Sequence, residues 1–306
     1  GGGPDAEREV SLESSRAVAD ALERGGGFEV VYEVIDRIGA GELRALPGDV
    51  VFPVLHGAFG EGGRLQDLLE LDGRAYVGSG PGAARLAMDK LGSKIAAAGA
   101  GAPTPIGACL NVEDDASPIG LPCVVKPVHE GSSVGLSICR DADAWEVALA
   151  GVRADRATRP ERVWMVERLV EGREVTVGLL DRGAGLESVG VVEIEAAGGS
   201  YDYEAKYRRD DTRYTVDPAL PSGVGEAIGA WSVEVARRLG VRHLARVDYL
   251  LDGAGVAWFL EINTMPGFTA HSLLPMAAGA RGLGMDALCA GLVERALGER
   301  AGVRSV

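Results

Sequence analysis

The chain has 306 residues, enough for two or three domains of roughly 100–150 residues with a full hydrophobic core, which excludes a peptide or a lone module. Hydrophobic residues make up 46% and charged residues 25%, the composition of a soluble globular protein and not of a disordered or fibrous one. Lys and Arg number 31 against 45 Asp and Glu, so a formal charge of −14 repels phosphate backbones and anionic membranes and argues against nucleic-acid binding.

The order of apolar runs and turn residues predicts an α/β fold that passes into α+β. Val10, Ser14, Ala17, Val18, Ala21 and Leu22 share one helical stripe that ends at Gly25. Strands are expected at Phe28 to Ile35 and Asp49 to Leu55, then a helix through Leu65, Leu68 and Leu69 ending near Gly73, then Tyr76-Val77 leading into Gly78. This alternation is that of a small parallel sheet. The opening Gly1-Gly2-Gly3-Pro4 reads as the turn after a strand, so a strand before Gly1 is expected.

Helices are expected at Ala83 to Met88 and Leu91 to Ala98, strands at Cys123 to Lys126 and Leu136 to Cys139, a helix after Asp141 and a strand at Val163 to Glu167. Strands Val175 to Leu180 and Val189 to Glu195, a polar loop and a helix from Ser222 to Leu239 follow, with Gly240 as its cap. Ala245 to Leu251 and Val256 to Asn263 flank Asp252-Gly253-Ala254-Gly255 as a hairpin, and Leu283 to Leu297 closes the chain as a helix. The expected units are 1–85, 86–168 and 169–306. The uncharged run from Ile95 to Val112 is broken by Gly99, Gly101, Pro103 and Pro105, so no membrane insertion is expected. Cys109, Cys123, Cys139 and Cys289 include no CxxC pair and none at zinc spacing from a His, so a cytoplasmic protein is the default.

The hairpin carries the sharpest chemical signal. With a loop over Gly253 to Val256, Asp252 pairs with Ala257, Asp248 with Glu261 and Arg246 with Asn263, and the last two pairs share one face. Opposed carboxylates repel, so a cation between them is implied, and magnesium suits two carboxylates plus phosphate oxygens. For any one acidic residue a solvated strand face is the plainer reading; the set of four followed by Thr264-Met265-Pro266-Gly267 favours a metal site. Val124-Val125-Lys126-Pro127 followed by Glu130-Gly131-Ser132-Ser133-Val134-Gly135 offers a strand-borne ammonium and a small-residue loop, suited to phosphate but weak alone. Met88-Asp89-Lys90 and Val166-Glu167-Arg168-Leu169 with Glu174 are further candidates, each equally readable as surface decoration.

Taken together these segments resemble the ATP-grasp superfamily and, within it, the D-alanine:D-alanine ligase family. The resemblance spans Ala6-Glu7-Arg8-Glu9-Val10-Ser11-Leu12, Leu55-His56-Gly57 with Gly60-Glu61 and Leu65-Gln66, Gly78-Ser79-Gly80, Met88 to Leu91, the Lys126 and Ser132 segments, Tyr201 to Tyr207, Arg246-Val247-Asp248, and Glu261 to Gly267 through His271-Ser272-Leu273. It implies a three-domain ATP-grasp architecture in which an N-terminal parallel-sheet domain adjoins two antiparallel-sheet lobes that clasp ATP. It implies a cytoplasmic enzyme that joins two D-alanines through an acyl phosphate for peptidoglycan synthesis, and it suggests a homodimer. Lys90, Lys126, Glu130, Ser133, Glu167, Val170, Glu174 and Lys206 would bind ATP. Asp248, Glu261 and Asn263 would hold two magnesium ions, for which manganese can substitute.

The resemblance also implies that Glu7 and His56 receive the first D-alanine, that Arg246 and the Gly267 N–H stabilise the oxyanion, and that Ser272 and the Leu273 N–H hold the second carboxylate. Tyr207 would join Ser132 and Glu7 in fastening the loop. Sister enzymes that make a D-alanyl-D-lactate ester carry a histidine loop in place of Lys206-Tyr207, so this chain is expected to make the amide; a D-alanyl-D-lactate or D-alanyl-D-serine ligase and an inactive ATP-binding scaffold are the alternatives. Two departures from the family pattern stand out: Asp5 where Ser is common, and Gly62-Gly63 where Asp-Gly is common.

Overall fold

The computed structural model describes residues 1–196, 212–269 and 271–303. Helix α1 (Arg8–Gly25) buries the expected stripe, including Val10, Val18, Ala21 and Leu22. Helices α2 (Ala40–Ala45), α3 (Gly57–Glu61) and α4 (Arg64–Asp72) accompany a parallel pair, β1 (Val50–Val51) with β2 (Ala75–Tyr76). Gly73 ends α4 in the left-handed region at φ 81°.

The strand expected over Phe28 to Ile35 is not formed: 28–34 carries no ladder, and only Ile35 bridges Gly2. A ladder needs a neighbour that offers N–H and C=O groups along its length. Gly1–Gly3 reaches only Glu33 and Ile35, with the Gly1 amino group donating to Glu33 O at 2.8 Å and the Gly3 N–H to Ile35 O at 2.9 Å. The strand expected over Asp49 to Leu55 is likewise paired only at Val50–Val51.

Helices α5 (Pro81–Met88) and α6 (Lys90–Gly99) lead into a four-stranded antiparallel sheet of β3 (Gly107–Cys109), β4 (Cys123–Pro127), β5 (Ser137–Cys139) and β6 (Trp164–Arg168), in the order β3-β6-β4-β5. Helix α7 (Ala142–Thr158) starts at Asp141, whose carboxylate accepts from the Ala144 N–H at 2.9 Å, and packs Trp145, Leu149 and Val152 on Val125 and Val166. Strand β4 is buried along its whole length, so Lys126 emerges in a low-dielectric place.

The second sheet has five antiparallel strands: β7 (Gly172–Asp181), β8 (Leu186–Glu195), β9 (Arg213–Val216), β10 (Leu244–Asp252) and β11 (Ala257–Asn263), ordered β11-β10-β7-β8-β9. Helix α8 (Val224–Leu239) packs Ile228, Val235 and Leu239 against Val175, Val177, Leu179, Ala245, Val247 and Tyr249. The alternate residues Thr176, Arg246 and Asp248 therefore face the opposite side. Helix α9 (Leu273–Ala280) packs there against β7 and β8, and α10 (Met285–Val303) returns to α1, β1 and β2, closing a core of Leu288, Leu292 and Val293 with Val18, Leu22 and Val77. Among the described residues no helix is long and apolar enough to cross a membrane.

Candidate active site

The hairpin sets the geometry. Asp248 lies opposite Glu261 and Arg246 opposite Asn263, as the sequence predicts. The turn end differs by one residue: Leu251, not Asp252, pairs with Ala257, and the register shifts between Asp248 and Tyr249. The extra residue, Leu260, forms a bulge. Its effect is specific, because Phe259 faces the α8 core while Glu261, two residues on, faces the cleft. A regular strand would have placed both on one side.

The two carboxylates do not simply repel across the ladder. Arg246 grips Asp248 with two hydrogen bonds of 2.9 Å, Nε to Oδ1 and Nη2 to Oδ2, and the Thr176 hydroxyl donates to Asp248 Oδ1 at 2.6 Å. Glu261 Oε2 lies 2.9 Å from Lys90 Nζ. Lys90 opens α6, where Asp89 caps the helix by accepting from the Leu91 and Gly92 N–H groups at 2.9 and 3.0 Å. The Lys90 ammonium also donates to Glu130 O at 2.5 Å.

Lys126 emerges from β4 beside Glu167 on β6 and donates to its Oε1. Lys94, one turn beyond Lys90 on α6, pairs with Glu167 Oε2 at 2.7 Å and donates to Thr104 Oγ1 at 2.9 Å. Burial pushes the Glu167 carboxyl up, but the two ammonium groups outweigh it and hold it below its ordinary value. Burial lowers Lys94 to about 8, with Glu167 opposing the shift. Lys94 has no role in the sequence reading. Its signal was two like charges four apart on one helix face, an arrangement that repels unless each finds an acid.

Glu130 is clamped at its carboxylate by Arg162 Nη2 at 2.5 Å. The loop beyond it places Ser132 and Ser133 in the left-handed region at φ 49° and 57°, and the Ser132 hydroxyl donates to Glu7 Oε1. Glu7, Ser132, Lys90, Lys126 and Glu261 thus come together from five separate segments.

Around them sits a buried polar wall. His56 is buried, and burial lowers its pKa to about 4, so the imidazole is neutral. Burial, then the charge of Glu7, raises Glu61 well above the usual carboxylate range, and Glu61 Oε2 accepts from the Gly57 N–H at 2.9 Å. His56 Nε2, Glu61 Oε1 and Gln66 Oε1 make no hydrogen bond among the described residues. Asp5 Oδ2 accepts from the Phe59 N–H at 2.7 Å, so the departure at this position caps α3. On the far side Ser272 Oγ accepts from the Thr269 N–H at 2.9 Å, and a Cβ on Gly267 would lie 2.7 Å from Ser272 Oγ. Leu273 opens α9, where by helix geometry its N–H has no intrahelical acceptor.

A cleft of about 660 Å³ between the two antiparallel sheets is lined by Lys90, Lys126, Glu130, Ser133, Glu167, Val170, Glu174, Arg246, Asp248, Glu261 and Leu273, whereas Glu7, His56, Ser132, Gly267 and Ser272 are not among its lining residues. Asn263 stands opposite Arg246, and its Oδ1 accepts from the Met265 N–H at 3.0 Å. Lys206 and Tyr207 lie outside the described residues. A wider groove of about 1000 Å³ along β8 and α8 suits an anion poorly: it is lined by Glu187, Glu226 and Glu234, and both oxygens of Asp217 hold its Arg281.

The donor chemistry fits magnesium. Among the described residues no group of three or more His, Cys, Asp or Glu is placed to hold a metal. Asp248, Glu261 and the Asn263 side-chain oxygen would hold the ion, an all-oxygen donor set of the kind that suits magnesium.

Known proteins resemble this chain along most of its length. The family model described as D-ala D-ala ligase C-terminus matches residues 108–294. A D-alanine–D-alanine ligase of Chromohalobacter salexigens is 43% identical over 307 residues, covering 97% of this chain and 93% of the relative. One from Aromatoleum aromaticum is 42% identical over 303 residues, covering 96% and 94%. A solved D-alanine–D-alanine ligase of Bacillus anthracis complexed with ATP superposes with a TM-score of 0.80 at 29% identity, covering 99% of this chain and 97% of that one. The chain belongs to the D-alanine–D-alanine ligase family.

Proposed function

We infer that this chain joins two D-alanines into D-alanyl-D-alanine at the expense of ATP, within peptidoglycan precursor synthesis in the cytoplasm. The observation that carries the reading is the gathering of Lys90, Lys126 and Arg246 with Asp248 and Glu261 in one cleft between the two antiparallel sheets. The two lysines match the phosphates and Arg246 the oxyanion, and the two opposed carboxylates would hold a divalent ion that offsets phosphate charge.

In this reading units 86–168 and 169–306 form the walls around ATP, with Glu167, Val170 and Glu174 on the adenosine side and the Ser132–Ser133 loop, Glu130 and Lys206 on the phosphate side. The first D-alanine's carboxylate attacks the γ-phosphorus, ADP leaves, and an acyl phosphate forms. The amine of the second attacks the acyl carbon, loses its extra proton, and phosphate departs. Glu7 receives the first ammonium. His56, being neutral, takes part as a hydrogen-bonding group and not as a cation. Arg246 and the Gly267 N–H face the oxyanion, while Ser272 and the Leu273 N–H hold the second carboxylate. Ser132, held by Glu7, keeps water from the acyl phosphate, and Tyr207 is assigned to the same task. Asp248, Glu261 and Asn263 would hold magnesium, which when bound would supply charge neutralisation to the phosphates. A homodimer is the assembly proposed.

Substrate choice is tested by competition between D-alanine and D-lactate as second substrate, quantifying both products from about pH 6 to pH 9. The dipeptide is expected to dominate throughout and to rise with pH as more amine becomes neutral. Predominant ester at neutral pH would overturn the amide reading.

A further inference from the structure

We propose that Lys94 is a positioning residue that frees Lys126 for the nucleotide by taking over the buried charge of Glu167. This rests on the reading of the cleft as a nucleotide site.

Glu167 is 3% exposed, and each of its carboxylate oxygens meets a different ammonium, Lys126 at Oε1 and Lys94 at Oε2. Lys126 and Glu167 line the cleft, whereas Lys94 is absent from its lining and stands behind Glu167. A lysine that serves phosphate shares its charge between the phosphate and the carboxylate it rests on, and so offsets less of that carboxylate's charge. Drawing one partner away from a buried pair leaves the other charge under-compensated in a low dielectric, which is strongly unfavourable. A second, permanent partner for Glu167 removes most of that penalty, and Lys94 is built to be permanent. It is buried, it is carried by a capped helix, and its ammonium donates to Thr104 Oγ1, which in turn donates to Phe259 O at 3.1 Å. The charged groups facing it are Glu167 on β6, Lys126 on β4 and Glu261 on β11. Their balance leaves Lys94 protonated at neutral pH even though burial lowers its pKa to about 8.

The arrangement explains why two lysines share one acid. In the nucleotide-free protein Glu167 neutralises both ammonium groups in part, and with a triphosphate present Lys126 turns to phosphate while the Lys94–Glu167 pair stays closed. Lys94 therefore acts on nucleotide affinity through Glu167 and does not touch the reacting atoms.

The test is a double-mutant cycle read by calorimetric titration with a non-hydrolysable ATP analogue and by steady-state kinetics. Lys94→Met is expected to weaken analogue binding and raise the ATP KM by roughly tenfold or more, with kcat at saturating ATP changed by no more than about threefold. In a Glu167→Gln background, where no buried carboxylate traps Lys126, adding Lys94→Met is expected to change binding by less than about twofold. Equal losses in both backgrounds, or lower kcat with unaltered binding, would overturn the assignment. If Lys94→Met does not fold, Thr104→Val, which removes only the hydroxyl, is expected to weaken binding about two- to threefold, and no change there would equally overturn it. Failure of the unsubstituted protein to bind the analogue would instead overturn the nucleotide-site reading itself.

Discussion

Asp248 and Glu261 face each other across two strands, yet each already has a cation, Arg246 for one and Lys90 for the other. Opposed carboxylates at this spacing led the sequence reading to a repulsion that only a metal would relieve. The structure places part of that relief in the protein itself. Asp248→Asn is accordingly expected to destabilise the nucleotide-free protein by about 1–2 kcal/mol, because a charge-assisted pair becomes a neutral one. Denaturant unfolding checks this, and an unchanged or raised midpoint would contradict it. The buried wall makes a second prediction. His56 titrates near 4 in the folded protein against 6.5 ordinarily, so between these values the unfolded chain binds more protons and stability falls as pH falls. His56→Gln is expected to lose less stability than the parent between neutrality and pH 4.5, by roughly 2–3 kcal/mol. Glu61 has the opposite sign. Its raised pKa costs stability as pH rises above the ordinary carboxylate value of 4.5, so Glu61→Gln is expected to gain relative stability at alkaline pH. Parallel pH-dependent melts of both variants that match the parent would contradict these assignments.

At the scale of elements, legibility followed how local the cause was. Helix α7 and its Asp141 cap, the Gly73 and Gly240 stops, and the pairing of Asp248 with Glu261 rest on periodicity and turn chemistry that neighbouring residues carry. The Leu260 bulge was not legible, since it satisfies two distant demands at once, Phe259 in the α8 core and Glu261 in the cleft. Phe28 to Ile35 has strand composition but lacks a partner over most of its length, which composition cannot reveal. Helix α3 is too short to show a period, and its start depends on backbone conformation. Gly57 sits at φ 85°, where an added Cβ would lie 2.6 Å from Asp5 Cβ. Gly57→Ala is therefore expected to cost about 2 kcal/mol and to displace His56 and Glu61. A melting temperature within experimental error of the parent would show that α3 adapts.

For the whole molecule, α10 ties the end of the chain to its beginning. Leu292 is 1% exposed in a core shared with α1 and the parallel pair, and His243, leading into β10, accepts from the Gly78 N–H at Nδ1 and meets Glu299 of α10 at 3.0 Å through Nε2. Leu292→Ala is expected to cost about 2–5 kcal/mol and to shift one unfolding transition as a unit. Splitting into two transitions would show that the N-terminal unit and the five-stranded sheet unfold independently. Long-range closure of this kind was invisible in the sequence, where Leu283 to Leu297 was legible only as a closing helix. The Glu7–Ser132 contact depends on the same closure, because Glu7 comes from the N-terminal unit and Ser132 from the loop beyond β4 of the four-stranded sheet. The most direct measurement of the central claim is the stoichiometry of ADP and product, by phosphate-coupled assay and mass spectrometry, with ATP, magnesium and D-alanine. One ADP per D-alanyl-D-alanine, lost when magnesium is chelated and absent with L-alanine, is the predicted result; ADP release without dipeptide, or dipeptide formed without magnesium, would contradict it.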